Sequence, residues 1–167
     1  MRRLTVLALL LVALLTACGT STDSGAATDP GEAGATPHTL EFTATTAAGA
    51  SFDATSLAGK PVVFWFWAPW CPTCRAQAPG VQRLAATYGD KVNIVGVGSL
   101  DQEEAIRGFA EAVPEVTQLV DPDGSVWRHF GVTAQSTYLV LDVYGSTIAS
   151  GYLDDDDLAD VVDQLAG

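Results

Sequence analysis

The sequence predicts an α/β fold organised around one buried strand, and three observations carry that prediction. Val62 to Trp67 is a run of six apolar residues with no polar position among them, which reads as a strand buried on both faces. Immediately after it the pattern changes to helical spacing, with Val81, Leu84, Ala85 and Tyr88 at i, i+3, i+4 and i+7. Strand-like and helix-like stretches then keep alternating to the end of the chain. At 167 residues, 48% of them hydrophobic and including four Trp and six Phe, the chain suits one domain with accessories and has ample material for a packed core. Its net charge of −12 argues against nucleic acid as a partner, because phosphate binding needs clustered Lys and Arg.

Taken in order, the chain opens with a targeting pattern. Arg2 and Arg3 precede an apolar stretch, Leu4 to Leu15, that is too short to span a bilayer comfortably. It ends Leu15-Thr16-Ala17-Cys18, which resembles the bacterial lipobox, so residues 1–17 are expected to be a lipoprotein signal and Cys18 the lipid attachment site. The alternative is an ordinary signal cleaved nearby, leaving a soluble secreted protein. Gly19 to Pro37 is rich in Gly, Ala, Thr, Ser and Asp, without apolar periodicity. With Cys18 and His38 it is read as a flexible tether (18–38) of about 20 residues spanning roughly 25 Å, ahead of a folded domain over 39–167.

Within that domain Leu40, Phe42 and Phe52 around Gly49 suggest a hairpin, and Leu57 to Pro61 a turn into the central strand. A helix follows it and ends near Gly89, and Val92 to Val97 is another apolar strand. Asp101 and Glu104 are spaced as a capping box for a helix whose buried face is Ala105, Ile106, Phe109, Ala110 and Val113, stopped by Pro114. Leu119-Val120 reads as a short strand, Asp121 to Gly124 as a turn, and the segment with Trp127 and Phe130 as a short helix ending at Gly131. Tyr138 to Leu141 and Thr147 to Tyr152 form an antiparallel pair around Tyr144-Gly145. Leu158, Val161, Val162 and Leu165 mark a last helix, and Asp154 to Asp157 suit its N-terminus better than a metal site.

The chemistry concentrates at Cys71-Pro72-Thr73-Cys74, where the buried strand hands over to the first turn of a helix. Unpaired N–H groups and the positive end of the helix dipole stabilise an anion there. A free thiol titrates near ~8.5, and in such a setting it falls to roughly 3.5–7.5; the thiolate is the nucleophile. Spacing i, i+3 lets the two sulfurs meet, with Cys71 expected as the exposed attacker and Cys74, one turn in, as the shielded resolving thiol. Half of a zinc site is the main alternative, but the remaining ligands could come only from Cys18, His38 and His129, and His129 reads as a surface or half-buried helix residue. An inert disulfide across so short a loop would constrain the unfolded chain little. No cofactor and no metal are expected.

The run Phe66-Trp67-Ala68-Pro69-Trp70-Cys71-Pro72-Thr73-Cys74-Arg75 resembles the active-site run of the TlpA/ResA and DsbE/CcmG thioredoxin-like proteins, and Cys-Pro-Thr-Cys is the DsbE/CcmG form. Secreted or lipid-tethered actinobacterial members of the DsbE/DsbF kind look closest, over roughly Thr39 to Gly167. The resemblance implies a thioredoxin-like fold: a central mixed sheet flanked by helices, with an N-terminal hairpin and an inserted helix within Asp101 to Pro114. It also implies thiol–disulfide exchange by Cys71 and Cys74, with Pro72, Thr73 and Gln77 in support and Trp70, Gln135 and Ser136 forming the rim where substrate docks. Three departures stand out. Gln77 takes the place of an acid, Trp65 that of a buried Asp, and Ser136 that of the cis-proline in the loop facing the disulfide. Ser136 brings an N–H and a hydroxyl, which could face the sulfurs, where a proline has neither.

No Asp or Glu lies between Ala54 and Gly89, so no carboxylate of that segment can move the shielded thiol's proton. That favours oxidation or isomerisation of exported proteins, with recycling by a membrane redox partner, on the outer face of the membrane. Resemblance to CcmG keeps reduction of apocytochrome c thiols as an alternative, and the missing proline keeps a turnover-poor thiol-binding module as another. A peroxidase of the peroxiredoxin kind would need Thr three residues before the nucleophile, where this chain has Ala68.

Overall fold

The computed structural model describes residues 37–167, so the targeting pattern, Cys18 and all but the last two residues of the tether expected over 18–38 lie outside the described residues. His38, expected to end that tether, instead begins a 3₁₀ turn closed by the Glu41 N–H on its carbonyl. The strands are β1 (Thr43–Thr46), β2 (Ser51–Asp53), β3 (Val62–Trp67), β4 (Asn93–Gly98), β5 (Thr117–Val120), β6 (Thr137–Leu141) and β7 (Thr147–Gly151). The helices are α1 (Pro72–Tyr88), α2 (Glu103–Ala110), α3 (Ser125–His129) and α4 (Asp155–Ala166), and short 3₁₀ turns cover His38–Leu40 and Ala54–Leu57. All seven strands form one sheet in the order β2-β1-β5-β4-β3-β6-β7. β3 pairs parallel with β4 and antiparallel with β6, and β4 pairs parallel with β5. The hairpin β1–β2 joins antiparallel through β1 to β5, turning at Gly49 with φ +84°.

Continuous apolar composition makes β3 the centre, because both its faces are covered. Val63, Trp65 and Trp67 enter one core with Val81 and Leu84 of α1, Ile106 and Ala110 of α2, and Leu158 and Val162 of α4. Val62, Phe64 and Phe66 enter the other with Leu40, Leu57, and Val126 and Trp127 of α3. The crossovers β3–α1–β4 and β4–α2–β5 run in the same direction along the sheet, so right-handed connection puts α1 and α2 on one face. Aromatic pairs stiffen both layers: Trp67 on Phe109 with centroids 4.6 Å apart, and Phe64 on Phe130 at 4.7 Å. Such pairs are worth about 0.5–1.5 kcal/mol each beyond their buried area.

The start of α2 departs from the expected capping box. Gln102 is the N-cap and makes no side-chain cap bond, while Asp101, one position too early, accepts only the neighbouring Gln102 N–H at 2.8 Å. The first-turn acid that is engaged is Glu103, bound by Arg107 at 2.6 and 2.8 Å, and Arg107 also donates to the carbonyls of Thr46 and Ala47. That arginine ties α2 to the hairpin. Asp154 does cap α4, accepting the N–H groups of Asp156 and Asp157 at 3.1 and 2.9 Å.

Candidate active site

β3 runs out at Trp67, and Ala68 and Pro69 carry the buried chain to Trp70. Cys71 is the N-cap of α1, and Pro72 follows at the first helical turn, where its missing N–H costs nothing. As cap, Cys71 Sγ accepts the Cys74 N–H at 3.2 Å. Arg75 fixes the approach from the other side, donating through Nε and Nη2 to the Pro69 carbonyl at 3.2 and 2.9 Å. Strand and helix therefore set both sulfurs before any loop contributes.

The loop before β6 then closes over them. Ser136 has φ +62°, a left-handed conformation outside glycine's usual territory, and its Oγ lies 3.1 Å from Cys71 Sγ and 3.2 Å from Cys74 Sγ. Proline is locked near −65°, so this loop follows a path no proline could take at position 136. Cys74 is fully buried and Cys71 only 3% exposed. The expectation of an exposed attacker is thus corrected: the N-cap would face solvent on an isolated helix, but Ser136 covers it in the fold.

Gln77 lies one turn beyond Cys74, buried at 5% exposure. Its Oε1 accepts the Trp65 indole N–H at 3.0 Å and its Nε2 donates to the Ser136 carbonyl at 3.4 Å. Two of the three departures from the family pattern therefore bond to each other, and the same amide holds the third. Trp70 is 51% exposed and donates its indole N–H to the Leu100 carbonyl at 3.1 Å. Leu100 is itself exposed and sits at φ +63°. Gln135 is half-buried beside Ser136, and Thr73 is exposed. Beside Trp70 a groove of about 690 Å³ runs between α1 and α2, lined by Pro69, Trp70, Arg75 and Pro79 and by Ala105 and Phe109.

The two thiols are pushed apart electrostatically. Burial raises the Cys71 thiol, but hydrogen bonds from the Cys74 thiol, the Ser136 hydroxyl and the N–H groups of Cys74 and Thr73 outweigh it and leave Cys71 below the ordinary thiol range. Burial raises Cys74, and its hydrogen bond to Cys71 raises it further against partial compensation from Ser136. Tyr138 beneath them is held above the ordinary phenol range by burial and by the neighbouring Asp155 and Cys74 charges. The surroundings thus favour the charged form at Cys71 and the neutral form at Cys74.

The histidines are elsewhere. His129 packs on Phe42 and Phe130 against the opposite core and meets the Thr39 carbonyl at 3.0 Å, while His38 pairs with Glu41. Among the described residues no group of three or more His, Cys, Asp or Glu gathers as a metal site, and no helix is long and apolar enough to cross a membrane. Sequence reasoning missed Leu100, the Trp65 contact with Gln77, and Asp121, whose buried carboxylate accepts from Ser125, Val126 and Trp127 at 2.9–3.2 Å and so starts α3. The Asp-Pro-Asp-Gly turn was the only signal for Asp121.

A reactive cysteine pair at the start of the helix that follows a central buried strand, under a facing loop, defines a thiol–disulfide oxidoreductase of the thioredoxin-like type. Residues 32–165 match the Redoxin family, and the chain belongs to it. The soluble secreted antigen MPT53 of Mycobacterium tuberculosis is 37% identical over 129 residues, 77% of this chain and 72% of that protein. The thiol:disulfide interchange protein DsbE of Escherichia coli is 36% identical over 85 residues, 49% of this chain and 44% of that one. Among solved structures, dsbF of MTB superposes with a TM-score of 0.72 at 44% identity, covering 78% of this chain and 99% of that one. A secreted Mycobacterium tuberculosis disulfide oxidoreductase homologous to DsbE gives 0.69 at 35% identity, over 76% and 98%.

Proposed function

We propose that this protein is an extracytoplasmic, membrane-tethered thiol–disulfide oxidoreductase that oxidises or isomerises exported proteins. Cys71 is the sulfur that exchanges with substrate and Cys74 the one that resolves. The observation that carries this reading is the asymmetry of the pair: Cys71 caps α1 and is lowered, whereas Cys74 is fully buried and raised. Trp70, Gln135 and Ser136 form the rim on which the substrate chain docks, a role supported by Trp70's exposure beside an apolar groove. An extracytoplasmic site of action is supported by the targeting pattern of residues 1–17 and by relatives described as secreted. Tethering rests on Cys18 and its lipobox-like setting. The partners are exported dithiols or disulfides and a membrane redox protein that restores the working form.

Two variants test the assignment of roles. Cys71→Ser should abolish exchange with a model disulfide, and Cys74→Ser should accumulate mixed disulfides on Cys71, visible by non-reducing electrophoresis and mass. Full turnover by Cys74→Ser would refute the assignment.

A further inference from the structure

We propose that Ser136 is a further catalytic residue of the exchange: its hydroxyl donates a hydrogen bond to whichever of the two sulfurs carries the negative charge. The proposal rests on the Cys71–Cys74 reading above. Its basis is the position of one oxygen, 3.1 Å from Cys71 Sγ and 3.2 Å from Cys74 Sγ. A hydroxyl has one donor and two acceptor sites. It can therefore donate to a Cys71 thiolate while accepting the Cys74 S–H, and reverse when the charge moves to Cys74. No Asp or Glu is present from Ala54 to Gly89 to do this.

The oxygen is held there at some cost. A non-glycine residue at φ +62° is strained and persists only where its surroundings fix it. Gln77 supplies that fixing, donating to the Ser136 carbonyl while accepting from Trp65. An amide does both at once; an ionised acid at the same place could not donate. Gln77 is thus the positioning residue for Ser136.

The steps balance as follows in the oxidising direction. A substrate thiolate attacks Cys71 Sγ of the Cys71–Cys74 disulfide, the S–S bond breaks, and its electron pair goes to Cys74 Sγ, which leaves as a thiolate accepting the Ser136 O–H and then takes a proton from solvent. The second substrate thiol, having lost its proton to solvent, attacks the substrate sulfur of the mixed disulfide. The bond to Cys71 breaks, and Cys71 leaves as the thiolate, now accepting from Ser136 and from the Cys74 N–H. The substrate gains one disulfide, and the protein takes up its two electrons.

Because the hydroxyl stabilises thiolates, it stabilises the reduced protein over the disulfide. The test is the redox equilibrium of the full-length protein with glutathione, using Ser136→Gly, Ser136→Ala and Ser136→Thr. Gly removes the hydroxyl and relieves the strain; Ala removes the hydroxyl and keeps the strain; Thr keeps the hydroxyl. Gly and Ala should both shift the equilibrium constant about tenfold towards the disulfide, about 30 mV, while Thr stays within about twofold of wild type. Any other pattern, including a shift in Ala alone or in none of the three, overturns the proposal and leaves the oxidoreductase reading standing. A wild-type protein that never equilibrates with glutathione overturns both.

Discussion

Cys71 and Cys74 are the same chemical group three positions apart, and their surroundings move them in opposite directions. This has a consequence for the reduced protein's stability. Cys71 is lowered on folding, so its contribution is present above the free-thiol value of ~8.5 and is lost as pH falls through its folded value. Relative to reduced Cys71→Ser, the reduced wild type should therefore gain stability as pH rises across that window, which urea titrations at several pH values will record. Gln77 is the other informative residue. Read from sequence it is a missing acid beside the shielded thiol, but its bonds go to Trp65 and Ser136. Gln77→Glu keeps both bonds only while the new carboxyl is protonated and able to donate to the Ser136 carbonyl. Its equilibrium constant with glutathione should match wild type at low pH and depart from it as that carboxyl ionises. Parallel pH profiles for the two proteins would show that residue 77 does not govern Ser136. Proline at 136 would be forced to rebuild the loop, because it cannot reach φ +62°.

At the scale of elements, tight approaches and caps set the cost of change. A Cβ on Gly98 of β4 would meet Trp67 Cη2 at 2.5 Å and Ile106 Cγ2 at 2.6 Å, both fully buried. Gly98→Ala should lower stability by about 1–3 kcal/mol, read as a lower urea midpoint at unchanged slope. Asp154→Ala removes the cap of α4 and should cost roughly 0.5–2 kcal/mol by the same measurement. What the sequence made legible follows the same division. The strand-to-helix handover at Cys71 was readable because periodicity and N-terminal position are local properties. Asp154 was readable because its acids precede an apolar stripe. The capping box at Asp101 and Glu104 was misplaced by one residue, since spacing alone does not fix where a helix begins. That the Ser136 hydroxyl could face the sulfurs was readable from the resemblance of its loop. The burial of Cys71 beneath it was not, because it depends on how closely a residue 65 positions away along the chain packs. Gly124 at φ +69° likewise lets Asp121 fold back onto α3, a contact no periodic pattern announces.

At the scale of the molecule, a seven-strand sheet with a core on each face holds the exchange chemistry at one strand end, and the remaining surface is free to be acidic. The proposed membrane tether rests on residues before that sheet. Cys18→Ala should release the protein from membranes while leaving glutathione exchange by the folded domain unchanged; unaltered partitioning, with no lipid mass on the mature N-terminus, would remove the tether from this account. The direction of electron flow is a property of the whole site: a lowered Cys71, a hydroxyl over both sulfurs and no acid in the surrounding segment all favour the reduced form. The most direct measurement is the reduction potential of the Cys71–Cys74 couple against a glutathione series. A value near about −120 to −180 mV, in the range of the strong oxidant and isomerase couples, is the predicted result. A value near about −270 mV, that of a general dithiol reductant, would contradict it.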